Sequence, residues 1–267
     1  MPRPSENKRQ PIVLSCYFNR SREGEQFVPE HVFSYHISGT VHINDGDTET
    51  IFREGEFRFS RRNHLVKFEK IPPEGGEFKA LSIYLDQETL RNFSREYGYS
   101  STKKPKDEAV LKLKSHPLLT TYMESLLPYR QTGELENDNL VGLKLKEAIL
   151  ILLETNPGIE DVLFDFTEPG KIDLESFMNR NFHFNVELKR FAYLTGRSLA
   201  TFKRDFEKIF QMTPNRWLIQ RRLQEAYYLI KEKGNAPSEV YLELGFEDLS
   251  HFSFAFKKKY GLAPSKV

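Results

Sequence analysis

Two stretches of 21 residues match each other without a gap, fifty positions apart. The first, RSLATFKRDFEKIFQMTPNRW, spans residues 197–217, and the second, EDLSHFSFAFKKKYGLAPSKV, spans residues 247–267. Self-similarity of this kind indicates two copies of one supersecondary unit. Four apolar positions and one proline coincide, in the pairs Leu199 and Leu249, Phe202 and Phe252, Phe206 and Phe256, Phe210 and Tyr260, and Pro214 and Pro264.

Each copy follows a short amphipathic segment and a tight turn that contains glycine. VELKRFAYL (186–194) leads into TGRS, and PSEVYLEL (237–244) leads into GFED, so Ser198 and Asp248 are the predicted helix N-caps. A helix, such a turn and a second helix make a helix-turn-helix unit, whose second helix has the shape to enter the major groove of DNA. The intervening residues 214–234 are predicted to form a helix that sets the spacing of the two units.

The second copy contains FSFAF at residues 252–256, an alternation that is also typical of a strand. In a helix, Phe252 and Phe256 are about 40° apart around the axis and share the core face, while Phe254 lies about 200° from Phe252. Because the first copy has the same spacing of apolar residues, a helix with an outward aromatic ring at Phe254 is predicted.

Charge is distributed unevenly along the chain, although the formal net charge is only +1. Residues 172–267 hold 16 Lys and Arg against 11 Asp and Glu, whereas the preceding 171 residues hold 23 against 27. A basic carboxyl-terminal part is typical of a module that binds a polyanion such as DNA. Chance segregation of surface charge is the alternative explanation.

The first part of the chain has the pattern of a β-rich segment followed by helices. Alternating strand patterns separated by turn residues run from residue 12 to residue 86 and predict a small barrel or sandwich. Helical patterns, with Asp86 as a candidate N-cap, occupy residues 87–166. The predicted fold class is α+β, with these parts: a disordered lead-in at 1–10, a β-rich and helical domain at 11–166, a linker at 167–175 and a double helix-turn-helix domain at 176–267.

The two matching segments, with RRLQEA between them, resemble the DNA-binding domain of the AraC/XylS family of bacterial transcription regulators. The preceding part resembles the cupin-like effector and dimerisation domain of that family, with EGEFRF (54–59) where a Gly-Asp strand start is usual. The resemblance implies a regulator, more often an activator, that binds double-stranded DNA and RNA polymerase and forms a homodimer. It also implies that the first domain senses a small-molecule effector or a regulatory protein.

The outward faces of the two recognition helices supply the candidate base-contacting residues. Ala200, Lys203 and Arg204 occupy the positions that the resemblance assigns to base contacts in the first helix. Helical spacing turns Ser250, Ser253 and Phe254 outward in the second. Arg204 is the strongest candidate because one guanidinium can bind both O6 and N7 of guanine. Family members often carry Arg at the position of Phe254, so the first unit is predicted to supply most of the specificity and the second mainly affinity.

The other sides of these helices have two further predicted roles. Core positions are predicted at Leu199, Phe202, Phe206, Ile209 and Phe210 in the first helix and at Leu249, Phe252, Phe256 and Tyr260 in the second. Phosphate contacts are predicted for Lys203, Arg216, Arg221, Lys257, Lys258 and Lys259. A helix face that is merely solvated is the alternative for these cations.

Two features of the first domain have both a structural and a functional interpretation. Six aromatic residues suit either an effector pocket or a plain core: Phe33, Tyr35, Phe57, Phe59, Phe68 and Tyr84. The helical segment 137–158 is predicted to cover the barrel, with a homodimer contact as the alternative. Its predicted apolar side consists of Leu140, Leu143, Ala148, Ile151 and Leu152.

A metal-binding cupin enzyme or sensor with an appended DNA-binding domain is the alternative function. His31, His36 and His42 lie close together in the β region, and only Glu30 or His64 could complete a metal site. In a regular strand His31 lies on the face opposite His36 and His42. We therefore predict no metal, no cofactor and no catalytic residue.

The cysteine content and the apolar runs restrict the remaining classes. A single cysteine, Cys16, excludes an internal disulfide framework and the cysteine-rich alkyl-accepting module of DNA-repair sensors. The longest apolar run, 148–153, is too short to span a membrane, and the first ten residues lack the apolar segment of a secretory signal. A cytoplasmic protein without a membrane partner is expected.

Overall fold

The computed structural model describes three ranges of the chain, 10–22, 26–132 and 137–267. They form two compact units, the first chiefly of residues 28–167 and the second of residues 168–267 together with Gln26 and Phe27. The lead-in predicted at 1–10 lies outside the described residues except for Gln10. No helix among the described ranges is long and apolar enough to cross a membrane.

The strands in the two larger sheets of the first unit pair in antiparallel fashion. One sheet has the order β1-β9-β3-β6-β10 and another the order β5-β4-β8. Gly39, with a φ of 82°, separates β3 from β4, so one alternating run of sequence supplies both sheets. The strands are β1 (Ile12–Tyr17), β2 (Phe27–Val28), β3 (His31–Ser38), β4 (Thr40–Asn44), β5 (Glu49–Phe52), β6 (Phe57–Ser60), β7 (His64–Leu65), β8 (Lys67–Ile71), β9 (Phe78–Leu85) and β10 (Val110–Leu113).

In the described part of the first unit, four α-helices accompany these strands, and the first has the predicted ends. The Asp86 side chain accepts a hydrogen bond from the Thr89 N–H at 2.7 Å, and Gly98 ends the helix with a φ of 79°. The predicted N-cap is thereby confirmed. The helices are α1 (Gln87–Tyr97), α2 (Pro117–Thr132), α3 (Asp138–Thr155) and α4 (Ile159–Leu163).

The five-stranded sheet has a buried core on each of its faces, because successive side chains of a strand point to opposite sides. Phe33, Phe57 and Phe59 face the helices and pack in one cluster with residues of α1 to α4. Val32 and Ala80 face the three-stranded sheet. We call the cluster between the sheets the inter-sheet core; its buried apolar residues are Val28, Val32, Val41, Ile43, Phe52, Val66, Phe78, Ala80 and Ala109.

Two details of the first unit differ from the sequence-based expectations. The region 87–166 is not wholly helical, because β10 pairs with β6 at the sheet edge; a four-residue strand is too short to be recognised without its partner. In α3 the buried residues are Val141, Leu145, Ala148, Ile149 and Leu152, whereas Leu143 is 65% exposed. This helix is apolar around most of its circumference, so its pattern did not determine the buried face.

Two buried histidines predict that the first unit loses stability in acid. Burial, with Arg62 nearby, lowers the pKa of His31 to about 3, and burial, with Arg58 nearby, lowers the pKa of His36 to about 3. An unfolded histidine titrates near 6.5, so the unfolded chain binds protons that the folded chain does not. The stability that the folded unit has with both imidazoles neutral is therefore fully present above about pH 6.5. It falls as the pH drops towards 3, because the unfolded chain binds protons there. At pH 5 each histidine is expected to reduce the free energy of unfolding by about 2 kcal/mol.

Urea unfolding of the full chain at pH 7.5 and pH 5, followed by circular dichroism, measures this loss. His36→Phe keeps a ring against Phe52, which lies 5.7 Å from the imidazole, and should remove about half of the pH dependence. Fluorescence of Trp217, the single tryptophan, follows the second unit separately. The same pH dependence in wild type and His36→Phe would contradict this prediction.

The second unit is helical from residue 174 onwards. Both helix-turn-helix units are present, as α6–α7 and α9–α10, and α8 connects them. The overall α+β class, with a β-rich part followed by a helical part, is confirmed. The helices are α5 (Leu174–Asn181), α6 (Leu188–Leu194), α7 (Leu199–Phe210), α8 (Pro214–Lys231), α9 (Pro237–Glu243) and α10 (Leu249–Tyr260), followed by a short 3-10 helix at Pro264–Lys266.

Candidate nucleic-acid interface

The recognition helices α7 and α10 begin in the same way. The Ser198 hydroxyl accepts a hydrogen bond from the Thr201 N–H at 3.2 Å, and the Asp248 carboxylate accepts one from the His251 N–H at 2.6 Å. Both predicted N-caps are confirmed. The preceding turns place Gly196 at a φ of 63° and Gly245 at a φ of 79°. These are left-handed conformations that favour glycine, so both turns contain a glycine with the same backbone conformation.

Aromatic side chains attach both recognition helices to α8. Phe206 lies 5.6 Å from Trp217 between ring centroids, and Phe256 lies 6.2 Å from Tyr227. The four repeat-related phenylalanines are fully buried: Phe202, Phe206, Phe252 and Phe256. The expected core positions Leu199, Ile209 and Leu249 are instead 40%, 42% and 40% exposed. Leu199 and Leu249 are the first residues of α7 and α10, and Ile209 is the last but one of α7, so all three lie near helix ends.

The outward face of α7 carries the three predicted base-contacting residues, and all of them are exposed. The Arg204 side chain is 65% exposed, and its Nη2 lies 3.6 Å from Asp205 Oδ1. A hydrogen bond from Arg197 Nε at 3.2 Å lowers the pKa of Asp205, so this carboxylate is shared between two guanidinium groups. Arg204 therefore has a long, accessible side chain whose internal ion pair is weak.

The outward face of α10 is less polar. Phe254 is 69% exposed, as its helical position predicted, while Ser250 is exposed and Ser253 is half-buried. Phe254 offers no hydrogen-bonding group to a base edge, so its direct contacts with bases are limited to apolar groups such as the thymine methyl.

The predicted phosphate-contacting cations separate into two groups. Arg216, Lys257 and Lys258 are exposed, as is Lys203. Arg221 donates from Nη1 to Glu225 Oε2 at 3.0 Å and lies 4.4 Å above the Phe182 ring. Lys259 Nζ donates to the Gln220 carbonyl at 3.0 Å, and burial lowers its pKa. Arg221 and Lys259 have internal partners and are the weaker phosphate candidates.

A buried arginine in α8, which the sequence-based prediction missed, joins the two helix-turn-helix units. Arg222 of α8 donates from Nε to the Phe182 carbonyl, from Nη1 to the Gly245 carbonyl and from Nη2 to the Phe184 carbonyl, at 2.8, 2.8 and 2.9 Å. Burial lowers the pKa of Arg222 to about 10. A Cβ atom at Gly245 would lie 2.6 Å from the His183 carbonyl and 3.2 Å from the Arg222 guanidinium. Helical spacing could have identified Arg222 as buried, since it lies four residues from both Leu218 and Ala226, which are buried.

A cleft of about 640 Å³ lies between the two helix-turn-helix units. Leu199 and Lys203 of α7 line one side, and Phe246 and His251 of the second unit line the other. This position explains the exposure of Leu199, which borders the cleft rather than the core. The exposed faces of α7 and α10 thus flank a concave surface.

Two family models match the chain in the order of its two parts. Residues 31–160 match the ExsA N-terminal regulatory domain, and residues 191–267 match a helix-turn-helix domain. The HTH-type transcriptional regulator ExsA of Pseudomonas aeruginosa is 23% identical over 95% of this chain and 91% of its own. The chain belongs to the AraC family of transcriptional regulators.

Further relatives match most of the chain. The thermoregulatory protein LcrF of Yersinia pestis is 24% identical over 73% of this chain and 70% of its own. The virulence regulon transcriptional activator VirF of Yersinia enterocolitica is 24% identical over 80% of both chains. The crystal structure of apo ToxT K231A from Vibrio cholerae covers 97% of both chains at 10% identity and a TM-score of 0.44. This family and these relatives are regulators of transcription and not enzymes.

The candidate effector residues of the first unit do not line one pocket. Phe33, Tyr35, Phe57 and Phe59 pack on the helical side of the five-stranded sheet, and only Phe68 and Tyr84 pack against the inter-sheet core. Strand alternation explains the division. The histidines are also divided, because Gly39 separates β3 from β4; in the part of the chain that the structure describes, no three His, Cys, Asp or Glu residues could hold a metal ion.

Proposed function

We propose that this regulator binds double-stranded DNA sequence-specifically and activates transcription through RNA polymerase. Its first domain controls this activity. That domain, within residues 11–166, senses a small molecule or a regulatory protein and mediates dimerisation. The linker at 167–175 joins it to the DNA-binding domain at 176–267. We place its action in the cytoplasm, with the DNA.

The observation that carries this proposal is the equivalence of the two helix-turn-helix units. Both recognition helices have a capped N-terminus, a buried phenylalanine pair and an aromatic contact with α8, while their opposite faces are exposed. Two such helices held by one connecting helix suit two successive major grooves on one side of a duplex. The exposed side chains on α7 then lie where base edges can be read.

Enrichment of bound duplexes from a random library with the full chain tests the proposal. The expected product contains two short elements about one helical turn, roughly 10 base pairs, apart. Placing the enriched duplex upstream of a weak promoter should then raise transcription by RNA polymerase when the regulator is present. Failure to enrich any sequence would contradict sequence-specific binding, and lower transcription would contradict activation.

The exposed cations of α10 are expected to contribute affinity without specificity. Lys258→Ala should weaken enriched and unrelated duplexes by a similar factor and reduce the slope of log affinity against log salt by about 0.9, because one phosphate contact is lost. Binding titrations at several salt concentrations measure both quantities. Lys146→Ala removes an exposed lysine that pairs with Glu96 in the first unit and should leave the slope unchanged. A loss confined to the enriched duplex would assign Lys258 to base reading instead.

The exposed leucines of α3 support the proposed dimerisation. Leu143 and Leu150 are seven residues apart on one side of the helix and are 65% and 40% exposed. A second copy of α3 would cover them, and a buried leucine contributes about 1.5–3 kcal/mol. The double substitution of both leucines with Glu should therefore weaken self-association at least about 100-fold in sedimentation equilibrium. Glu154→Gln on the same helix is the control, and a dimer unaffected by the double substitution would exclude α3.

A further inference from the structure

A buried polar patch lies between the two sheets of the first unit. Arg58 of β6 pairs in register with Ser34 of β3, and Ser34 pairs with Ser82 of β9. Arg58 Nη2 donates to Ser34 Oγ at 2.9 Å, and the two serine hydroxyls are 2.9 Å apart. All three side chains are buried on the side of the sheet that faces the inter-sheet core. A cation thus lies within an otherwise apolar interior.

No carboxylate of the described residues forms an ion pair with the Arg58 guanidinium, although a buried cation normally requires a counter-ion. Arg58 is only 8% exposed, and the Phe68 ring lies 5.2 Å from its guanidinium. Burial lowers the pKa of Arg58 to about 10, and among the described residues only Tyr84 opposes this shift. Buried charges in proteins are generally paired, because desolvation of an unpaired ion is unfavourable. This buried guanidinium is therefore expected to pair with an anion.

Further polar atoms around Arg58 lack partners. Arg58 Nε, Ser60 Oγ and both ring nitrogens of His36 are buried without a hydrogen bond to any described residue. Ser60 follows Arg58 by two positions and His36 follows Ser34 by two, so all of these side chains lie on the same face of the sheet. Unsatisfied polar atoms are rare in folded proteins, and four of them in one patch indicate that a partner molecule completes the site.

We propose that this patch binds the carboxylate of a small organic acid, with Arg58 as the cation and Ser60 and His36 as further hydrogen-bonding groups. The inference rests on the proposed sensing function and names the chemical class of the effector. A planar guanidinium accommodates two carboxylate oxygens at once. One cation balances one negative charge, whereas a phosphate dianion would leave excess charge in an apolar interior. The neighbouring apolar side chains suit an apolar body on the acid.

Access to the site requires a movement of Phe68. This half-buried residue of β8 packs over the guanidinium and against the inter-sheet core. Its displacement by an aromatic or aliphatic acid would replace one apolar contact with another. Binding is therefore expected to displace Phe68 and to rearrange β8.

Thermal unfolding and calorimetric titration of the full chain test the site, with benzoate and hexanoate as probes. Both acids are expected to raise the melting temperature saturably and to do so at least tenfold less effectively in Ser60→Ala. Benzamide, which has the same shape as benzoate without the charge, should have no effect, and Arg58→Met should abolish the response. No stabilisation by either acid, or an equal response in Arg58→Met, would overturn the proposal. A response to inorganic phosphate equal to that of benzoate would overturn the assignment to carboxylates.

Two controls separate this site from folding and from the wider function. Arg58→Met without ligand is expected to melt at or above the temperature of wild type, because an unpaired buried cation does not stabilise the fold. A much lower melting temperature would make Arg58 a structural residue and overturn the inference. Benzoate binding that leaves affinity for the enriched duplex unchanged would overturn the sensing role and support the site. If benzoate does not bind while the affinity for the enriched duplex is intact, the proposed site is wrong and the proposed DNA-binding function stands.

Discussion

Replacing Arg222 with methionine is expected to lower the free energy of unfolding of the second unit by at least about 3 kcal/mol. The substitution leaves the carbonyls of Phe182, Phe184 and Gly245 without the donor that each has in the folded chain. An unsatisfied buried acceptor costs about 1–3 kcal/mol, and methionine supplies no hydrogen. Because these carbonyls belong to segments on either side of α8, the relative placement of the recognition helices should loosen as well.

Urea unfolding followed by Trp217 fluorescence measures this loss in the full chain. The indole lies 4.6 Å from the Phe210 ring and 5.6 Å from the Phe206 ring between centroids, so it reports on the packing of α7 against α8. Arg221→Met is the matched control: the neighbouring arginine forms a partly exposed pair with Glu225, and its loss should cost less than about 1 kcal/mol. Equal effects of the two substitutions would contradict the role assigned to Arg222.

Arg204→Ala is expected to weaken binding of the enriched duplex by about 10- to 100-fold and to relax the preference at one base pair. A bidentate contact between a guanidinium and guanine contributes about 1–3 kcal/mol of discrimination, and alanine cannot replace it. Arg204 is 65% exposed and remote from the buried phenylalanines of α7, so folding should be unaffected. Competition between matched and mismatched duplexes measures the loss of specificity directly.

Phe254→Ala is the comparison within the second unit. Its ring is 69% exposed and forms no hydrogen bond, so removing it should weaken binding less than Arg204→Ala does. Phe254→Arg supplies a guanidinium that can bind guanine and should introduce a base preference into the second element. A larger effect for Phe254→Ala than for Arg204→Ala would reverse the proposed division between specificity and affinity.

The helical part was predictable because its signals are local and occur twice. Phe202 and Phe206 recur as Phe252 and Phe256, and the buried phase of each helix follows from that spacing. The capping residues were equally clear, since a cap depends on neighbouring side chains alone. The core assignments of Leu199, Ile209 and Leu249 were wrong, and Leu199 borders the cleft between the two helix-turn-helix units.

The missed features all depend on partners that are distant along the chain. β10 is defined by its pairing with Phe57–Ser60, and Arg222 by carbonyls that lie 38, 40 and 23 residues away. The six aromatic residues of the first domain were correctly placed in a β-rich region, but the five-stranded sheet separates Phe33 from Phe68. Local periodicity identifies which residues share a strand face and does not say what covers that face.

The share of sequence specificity that each recognition helix contributes can be measured directly. Every base pair of the enriched duplex is substituted in turn, and the affinity of the full chain for each substituted duplex is determined. Penalties of about 1–3 kcal/mol are expected to be concentrated in one element, the one read by α7. The other element, about one helical turn away, should show a nearly flat profile with undiminished dependence on salt. Equal or larger penalties in the second element, or a flat profile in both, would contradict base reading by α7 as the main source of specificity.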